Sequence, residues 1–215
     1  MPEILIDKIW LYRVVHIENV AHILGNGLTT KSHEKADPNY MNIGDSKLVK
    51  QRSDYPVGVI PPGGVLGDYV PFYLGPLSPM LLNIKTGHRG ITKRPQTEIV
   101  YLCCNLQFVI HHCNEWCFTD GHAKDALTSF YNDLNFLDQI DWNLVKERYW
   151  KNTEEYTDKM RRKQAEFLVK HEVPTSCISH IIVYDAEAST SIQKLIDELN
   201  LNIKVWINPK GRFYY

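Results

Sequence analysis

A short segment rich in aromatics and prolines, residues 67–80, has the residue types that bind a planar ring. Its aromatic residues include Tyr69, Phe72 and Tyr73, and Met80 closes the segment. Aromatic faces stack on nicotinamide or on nucleobases with little sequence preference. The prolines cannot donate to a β-ladder, which confines the segment to sheet edges and turns. The composition therefore favours two interpretations equally, a stacking platform and an ordinary hairpin whose aromatics belong to the core.

Charged residues supply a second candidate chemistry. Glu166 stands at the start of an apolar segment, directly after the basic run 161–163. A lone glutamate at the end of a strand is usually solvated. Arg13 and Arg52, taken singly, are most simply surface or ion-pair residues. Each of these residues is weak evidence alone, so a functional site has to be argued from their combination with other motifs.

Histidines and cysteines between residues 111 and 122 raise the question of a metal. The candidate ligands are His111, His112, Cys113, Cys117 and His122. No Cys-x-x-Cys pair accompanies them, although paired cysteines are the usual signature of a structural zinc site. Partly buried thiols and surface imidazoles are the better interpretation, and we expect no metal.

Composition narrows the class of protein. The 215 residues are 44% hydrophobic and 23% charged, which excludes a disordered or collagen-like chain. With 24 basic and 25 acidic residues the net charge is −1, so bulk positive charge does not drive duplex binding, although a local basic groove is allowed. The sequence shows neither a membrane-length apolar run nor a secretory signal. Five cysteines, odd in number, predict reduced thiols. We expect one domain over residues 1–215, cytoplasmic and outside any membrane.

Local patterns predict the elements that must position these residues. Aromatic and β-branched residues predict strands over 10–15, 69–73, 80–84, 98–103, 165–169, 178–184, 203–207 and 213–215. Apolar spacing predicts helices from Ile17 and over 189–200, and gives residues 123–165 a helical character. A brief helix should follow Asp45 within the loop-rich stretch 29–68. Strands and helices without strict βαβ alternation predict an α+β fold around a mostly antiparallel sheet.

The order of several motifs resembles one protein family. These motifs are LYRVVHIENV (11–20), ADPNY (36–40), NIGD (42–45), YVPFY (69–73), SPM (78–80), FTDGHA (118–123) and QAEFL (164–168). With Arg52 following NIGD, they resemble the DarT family of bacterial toxins, DNA ADP-ribosyltransferases of DarT–DarG toxin–antitoxin systems. The resemblance extends from about residue 9 to the C-terminus.

This resemblance implies a fold and a reaction. The fold would be that of the ADP-ribosyltransferases, a split, mostly antiparallel sheet with NAD in its cleft. The family transfers ADP-ribose from NAD to a base in single-stranded DNA, typically thymine, and a related branch modifies guanine. A DarG-like antitoxin removes the mark with its macrodomain. NAD, single-stranded DNA and a DarG-like macrodomain protein are therefore the implied donor, substrate and partner.

The resemblance also implies roles for individual residues. Glu166, in the QAEFL motif, would stabilise the positive charge that develops on the ribose and help to take the proton from the attacked base. Arg52 would be the active-site arginine, whose fork holds a phosphate or orients the base. The residues implied to bind NAD are Arg13, His16, Asn19, Gly27, Leu28, Arg52 and Tyr73.

DNA contacts are implied in two places. Met80 and His122 match positions expected near the base. Residues 143–162 precede the catalytic strand and should form the substrate-recognition loop, in which Tyr149, Trp150 and Arg161 would contact the strand. A solvated helical face is the alternative for this segment. A single strand suits the chemistry because pairing occupies the reactive ring nitrogen of thymine in a duplex.

Two alternatives stay open at the level of the sequence. One is a related NAD-dependent ADP-ribosyltransferase whose target is guanine in DNA, RNA or a terminal phosphate. The other is a catalytically silent module that holds single strands. The presence of both Glu166 and Arg52 disfavours the silent module.

Overall fold

The computed structural model describes residues 5–208 and 212–215. The strands are β1 (Trp10–His16), β2 (Leu28–Thr29), β3 (Tyr69–Tyr73), β4 (Ile99–Asn105), β5 (Trp116–Thr119), β6 (Phe130–Tyr131), β7 (Glu166–Lys170), β8 (Glu172–Val173), β9 (Ile178–Val183) and β10 (Lys204–Ile207). The α-helices are α1 (Val20–Asn26), α2 (Ser46–Ser53), α3 (Pro79–Thr86), α4 (Leu106–His112), α5 (Lys159–Arg162) and α6 (Ala186–Glu198).

One large sheet organises the domain. Its strands follow the order β10-β9-β4-β1-β3-β7-β5-β6, and β2 pairs separately with β8. Every pairing in the large sheet is antiparallel except that of β9 with β10. The predicted α+β fold around a mostly antiparallel sheet is confirmed.

The sheet is split near its middle. Strand β1 pairs with β4 along its whole length, from Trp10 to His16. On its other side β1 meets β3 only where Tyr12 lies opposite Tyr73. Strand β3 in turn pairs fully with β7, which places Tyr73 opposite Glu166. The two halves therefore separate beyond one residue pair, and Glu166 borders the point of separation.

Apolar clusters cover both faces of the sheet. On one face Leu11, Val15 and Leu102 pack with Ile192 and Ile196 of α6. On the other face, α3 and residues 213–215 pack against the strands. This second cluster includes Leu81, Ile84, Tyr101, Ile182 and Tyr214. The Tyr214 hydroxyl contacts the carbonyl oxygens of Ile99 and Ile182 at 3.0 and 2.9 Å, which ties the chain end to β4 and β9.

Helix α2 forms where its cap residue predicts. Asp45 accepts hydrogen bonds from the backbone amides of Lys47 and Leu48, which satisfies two N–H groups of the first turn. The far end of α2 lies against the turn before β3. A Cβ at Gly67 would stand 2.6 Å from the carbonyl oxygen of Ser53, so only glycine allows this approach. The contact fixes the last turn of α2, which carries Arg52.

The strand predicted over residues 80–84 is wrong. Ser78 accepts a hydrogen bond from the Leu81 amide and caps a helix, and Pro79 occupies the first helical position, where a missing N–H costs nothing. The helix ends at Gly87, whose φ of +73° lies in the left-handed region. The Ser-Pro start outweighs the β-like composition of Met80 to Ile84.

Two further expectations are wrong. Within residues 123–165 the only α-helix is the four-residue α5, and the rest is turns, short 3-10 segments and β6. Asp133 caps the start of the segment Leu134–Gln139, and Asp141 accepts from the Leu144 amide, so each aspartate begins a new short segment where one continuous helix was predicted. Residues 213–215 form no strand, because Tyr214 and Tyr215 direct their polar groups to the core instead of a ladder.

Among residues 5–208 and 212–215 we find no helix with the length and apolar character to cross a bilayer.

Candidate active site

A deep cleft follows the split in the sheet. Its volume is about 2540 Å³, and its walls include Arg13 and Val14 from β1 and Pro71 to Tyr73 from β3. Helix α2 and the start of β7 complete the wall and contribute Arg52 and Glu166. The cleft thus has polar side chains from segments far apart in the chain.

Glu166 and Arg52 form a bidentate ion pair inside this cleft. The two guanidinium nitrogens Nη1 and Nη2 donate to Oε1 and Oε2 of Glu166 at 2.9 and 2.6 Å. The side chains are only 16% and 4% exposed, for Arg52 and Glu166 respectively. A planar fork on a carboxylate fixes both groups in distance and orientation.

Strand β5 and the loop after it hold the other side of Glu166. The Ala123 amide donates to Oε1 at 2.9 Å, and the Glu166 amide donates to the Thr119 hydroxyl at 3.1 Å. Oε1 therefore receives two hydrogen bonds, whereas Oε2 receives only the one from Arg52 within the described residues. A carboxylate oxygen accepts about two hydrogen bonds. Oε2 consequently keeps one acceptor position for a ligand.

The surroundings keep Glu166 ionised. Burial by itself acts to raise the pKa of this carboxyl, but the charge and hydrogen bonds of Arg52, with the Ala123 amide, hold the pKa below its ordinary value. The carboxylate in turn raises the pKa of Arg52 against the effect of burial. The pair is therefore charged on both sides at neutral pH.

Tyr73 and Arg13 line the cleft beside this pair. Burial raises the pKa of Tyr73 to about 12, so its phenol stays protonated. Arg13 reaches across the split from β1, and its Nη1 donates to the carbonyl oxygen of Pro71 on β3 at 3.2 Å. The Nε of Arg13 is buried and has no partner within the described residues. An unpaired buried donor of a cation is a ready position for an anionic or carbonyl ligand group.

His122 lines the cleft from the loop after β5. Burial lowers its pKa, so the imidazole is neutral at neutral pH. The Lys124 amide lies 3.3 Å from Nδ1, which makes Nδ1 the acceptor and leaves the proton on Nε2. Nε2 makes no hydrogen bond within the described residues and is available as a donor.

Gly27, Leu28 and Met80 also line the cleft. Gly27 ends α1 with φ of +85°, and a Cβ there would lie 2.8 Å from the carbonyl oxygen of Val173. Leu28 pairs with Val173 between β2 and β8. These residues therefore form a rigid wall, and Met80 of α3 supplies an apolar surface.

His16 and Asn19 lie elsewhere. They border a second cavity of about 580 Å³ instead of the large cleft. His16 lies 3.2 Å from Glu98 and 3.3 Å from Arg94, and Asn19 exchanges two hydrogen bonds with the backbone of Met41 at 2.8 and 2.9 Å. The polar groups of both side chains thus have protein partners. These bonds tie residues 16–19 to residues 94–98 and to the backbone of Met41.

The three residues predicted to contact DNA from the 143–162 loop occupy different environments. Tyr149 is 82% exposed and lies outside the cleft lining. Trp150 lines the cleft but is buried, and its indole N–H donates to the Tyr215 hydroxyl at 2.6 Å. Arg161 also lines the cleft, yet its guanidinium is paired with Asp120 and Asp158. The structure does not bring these three into one surface.

Sequence reasoning missed two features of the site. The Ala123 amide is a main-chain donor, so no residue type signals it, although FTDGHA marks the right loop. The second is Lys163, which is 2% exposed and donates to the carbonyl oxygens of Pro76, Val145 and Glu147 at 2.7 to 2.8 Å. It fastens the start of the 143–162 loop beside β7, and its membership of a basic run hid this role.

The cysteines and histidines considered as zinc ligands lie in different parts of the structure. All five cysteines are unpaired by disulfides and buried. Cys117 packs in the core beside Leu168, whereas His122 faces the cleft. Across the described part of the chain, no group of three potential ligands stands close enough to hold a metal ion.

A sheet split around a cleft, with an arginine-paired glutamate beginning the strand that borders the split, is the arrangement that the sequence resemblance predicts for an NAD-dependent ADP-ribosyltransferase. The chain belongs to the DarT family, because the model of that family, described as ssDNA thymidine ADP-ribosyltransferase, matches residues 12–215. The resemblance noted in the sequence motifs is confirmed.

The chain is similar to a DNA ADP-ribosyl transferase and to solved DarT structures. The chain is 40% identical over 199 residues to a DNA ADP-ribosyl transferase of Escherichia coli O127:H6, covering 93% of this chain and 91% of that protein. Thermus sp. 2.9 DarT in complex with ADP-ribosylated ssDNA superposes with a TM-score of 0.85 at 31% identity over 96% of each chain. The same protein in complex with NAD+ gives 0.78 at 29% identity, covering 96% of this chain and 97% of that one.

A more distant relative has a second activity in its name. A DNA ADP-ribosyl transferase-DNA ADP-ribosyl glycohydrolase fusion protein of Thermosipho africanus is 25% identical over 195 residues, which cover 90% of this chain but 47% of the fusion.

Proposed function

We propose that this protein transfers ADP-ribose from NAD to thymine in single-stranded DNA, with Glu166 as the catalytic carboxylate. The observation that carries the proposal is the Arg52–Glu166 pair at the mouth of the split, with one acceptor position of Oε2 facing no protein donor. Family membership and the Thermus complexes support the choice of donor and target.

Features of the cleft fit a dinucleotide. The cleft is large and spans the split, and the unpartnered Nε of Arg13 offers a donor beside β3. Arg13, Gly27, Leu28 and Tyr73 are the residues we assign to NAD, with Tyr73 packing near the nicotinamide end because it stands opposite Glu166. His16 and Asn19 stay predictions as NAD contacts, since their observed bonds are to the protein.

Glu166 acts on the ribose. NAD, when bound, supplies an activated ribose whose bond to nicotinamide breaks through a transition state with positive charge on the sugar. The ionised carboxylate stabilises that charge electrostatically. Its spare acceptor position on Oε2 accepts a hydrogen bond from a ribose hydroxyl. Arg52 and the Ala123 amide hold the carboxylate in place before substrate arrives, so little reorganisation is needed.

His122 and Met80 face the incoming base. The Nε2–H of the neutral imidazole donates a hydrogen bond to a carbonyl oxygen of thymine, and Met80 packs on the ring. Glu166 lies in the same cleft as His122, and its Oε2 accepts the ring-nitrogen proton during transfer once the ribose hydroxyl has left that acceptor position. A thymine has both the carbonyls and the N–H that this arrangement requires.

The cellular setting follows from the same proposal. We assign the protein to the cytoplasm, which supplies NAD and DNA and keeps the five free cysteines reduced. We assign it a DarG-like partner whose macrodomain removes the modification. The fusion relative supports this partner, because its name joins a transferase and a glycohydrolase in one chain.

The test is incubation with NAD and a single-stranded, thymine-containing oligonucleotide, with mass mapping of the product. We expect one ADP-ribose per modified thymine, and a loss of rate of about a thousandfold or more in Glu166→Gln, which keeps size and removes charge. Glu198→Gln is the matched control, since Glu198 lies on the exposed face of α6 and its ion-pair partner among the described residues is Lys194. Label on guanine or on RNA would overturn the assigned target, and full activity of Glu166→Gln would overturn the assigned carboxylate.

A further inference from the structure

Arg161 donates most of its guanidinium hydrogen bonds to protein partners. Its Nε and Nη2 donate to Asp158 at 2.7 to 3.1 Å. Its Nη1 donates to Asp120 Oδ1 and to the Thr128 hydroxyl, each at 3.0 Å. The side chain is 10% exposed. These bonds use most of the five N–H donors of a guanidinium, which leaves little of the group for a phosphate.

Two of the partners of Arg161, Asp120 and Thr128, are the ends of one loop, residues 120–128. The Thr128 hydroxyl accepts from Arg161 and donates to the His122 carbonyl oxygen at 2.9 Å. The His122 amide donates to the Arg161 carbonyl oxygen at 3.0 Å. Side chain and main chain of Arg161 therefore both hold this loop, which we call the 120–128 loop.

Close packing reinforces the attachment. A Cβ at Gly121 would stand 2.5 Å from Nη1 and 3.0 Å from Cγ of Arg161, so the arginine lies directly on the glycine backbone. The next two residues of the loop are His122, which faces the cleft, and Ala123, whose amide donates to Glu166. The arginine thus contacts the chain one residue before the groups that meet the substrate and the carboxylate.

We propose that Arg161 is a positioning residue that clamps the 120–128 loop so that the Ala123 amide and His122 are held against Glu166 and the base. The proposal rests on the proposed function for its effect on turnover, but its structural core, the clamp, is independent of it. It replaces the expectation that Arg161 contacts DNA phosphates.

The two roles predict different effects of Asp120→Asn on turnover. If Arg161 bound phosphate, this substitution would remove a competing negative charge, so that DNA binding would strengthen or stay unchanged and turnover would not fall. If Arg161 clamps the loop, Asp120→Asn loosens the clamp and lowers turnover. Thr128→Val is a second probe, because it keeps the shape of the side chain and removes both hydroxyl bonds.

Kinetics separate the roles. We expect Asp120→Asn and Thr128→Val each to lower kcat about 10- to 100-fold, since small displacements of catalytic groups cost that much. KM for the oligonucleotide should stay within about twofold. The acid limb of the kcat profile should move to higher pH, because Glu166 loses the Ala123 hydrogen bond. Asp138→Asn and Thr190→Val are matched controls on exposed side chains remote from the loop and should leave kcat unchanged.

The exchange rate of the Ala123 amide hydrogen tests the clamp in the absence of substrate. The Ala123 amide should exchange faster in Asp120→Asn and Thr128→Val than in the wild type and the two controls.

Salt-dependent DNA binding tests the alternative role. Arg161→Ala should leave the slope of log binding constant against log salt concentration unchanged, whereas loss of a phosphate contact would lower the magnitude of this slope by about 0.7. Unchanged Ala123 exchange in both variants, or that fall in slope, would overturn the clamp. An inactive wild type would overturn the proposed function and leave the exchange result standing.

Discussion

Two groups of the same three residue types stand in two cavities of this protein. Arg52, Glu166 and His122 meet in the large cleft, and Arg94, Glu98 and His16 meet in the smaller one. The Glu166 side chain is 4% exposed and bidentate with its arginine, whereas that of Glu98 is 38% exposed.

The difference teaches what makes such a group reactive. The pKa of Glu98 is also held below its ordinary value, by His16 and Arg94 acting against burial. A lowered pKa is therefore not what distinguishes the sites. Glu166 differs because it is buried, is held bidentately by its arginine and begins a strand at the split in the sheet. Oε2 of Glu98 lies 3.2 Å from Nε2 of His16 and 3.1 Å from Nη1 of Arg94, and these contacts stabilise the local fold.

The largest contrast is expected between the two arginines. Arg52→Lys keeps the charge but replaces the fork by a single ammonium, so it no longer donates in a planar pair to both oxygens of Glu166. We expect the rate of ADP-ribose transfer to fall about 100-fold, and that of the matched Arg94→Lys variant to change less than about threefold. Steady-state rates with thymine oligonucleotides measure both. Equal losses would show that the two groups do not differ as described.

The pH profile sharpens the same contrast. In the wild type Arg52 holds the pKa of Glu166 below its ordinary value, so kcat/KM should be flat down to about pH 5. Arg52→Gln removes the countercharge while the burial remains, which raises the pKa of Glu166. We therefore expect activity of this variant to increase with pH across the neutral range. A residual activity that does not depend on pH would contradict the assigned ionisation.

Gly67 tests whether the position of α2 matters. Gly67→Ala should push the Ser53 carbonyl away, shift Arg52 and lower the transfer rate about tenfold. Gly25→Ala is the matched control, because a Cβ at Gly25 meets nothing within 4 Å and alanine suits a helix better than glycine. Its activity should be unchanged, and its melting temperature equal or higher. Equal activity of both variants would mean that α2 tolerates displacement.

The smallest effect is expected at Glu98. Glu98→Gln weakens a partly exposed ion pair, so the free energy of unfolding should fall by about 1 kcal/mol or less, measured by urea denaturation. Activity should stay within about threefold of the wild type. A rise in KM for NAD beyond that range would instead extend the NAD site into the second cavity and support contacts from His16 and Asn19.

The sequence predicted the sheet better than the loops. Strands β1, β3, β4, β7, β9 and β10 were recognisable because buried strands are runs of β-branched and aromatic residues. The family resemblance placed Glu166 and Arg52, 114 residues apart, in one site, but their ion pair was not predicted, since no local pattern encodes a contact across the sheet. Helix α3 and the 123–165 segment were misread because cap residues such as Ser78 and Asp133 decide those elements.

The limits of prediction in the site have a physical cause. Lys163 and Arg161 both belong to a basic run that suggests a solvated or DNA-facing surface. One is enclosed by three carbonyl oxygens and the other by carboxylates and a hydroxyl. Charge sign in a sequence indicates what a residue attracts, but not whether the fold itself provides the partner.

The divergence of β1 from β3 after the Tyr12–Tyr73 pair leaves main-chain N–H and C=O groups along two inner edges without strand neighbours. A residue other than proline presents the same groups at those positions, whereas Pro71 on β3 presents only its carbonyl oxygen. Recognition through these groups depends on the spacing of two backbones. Substitutions at edge positions other than Arg13, Pro71 and Tyr73 should therefore accumulate without loss of recognition, provided that the gap keeps its width.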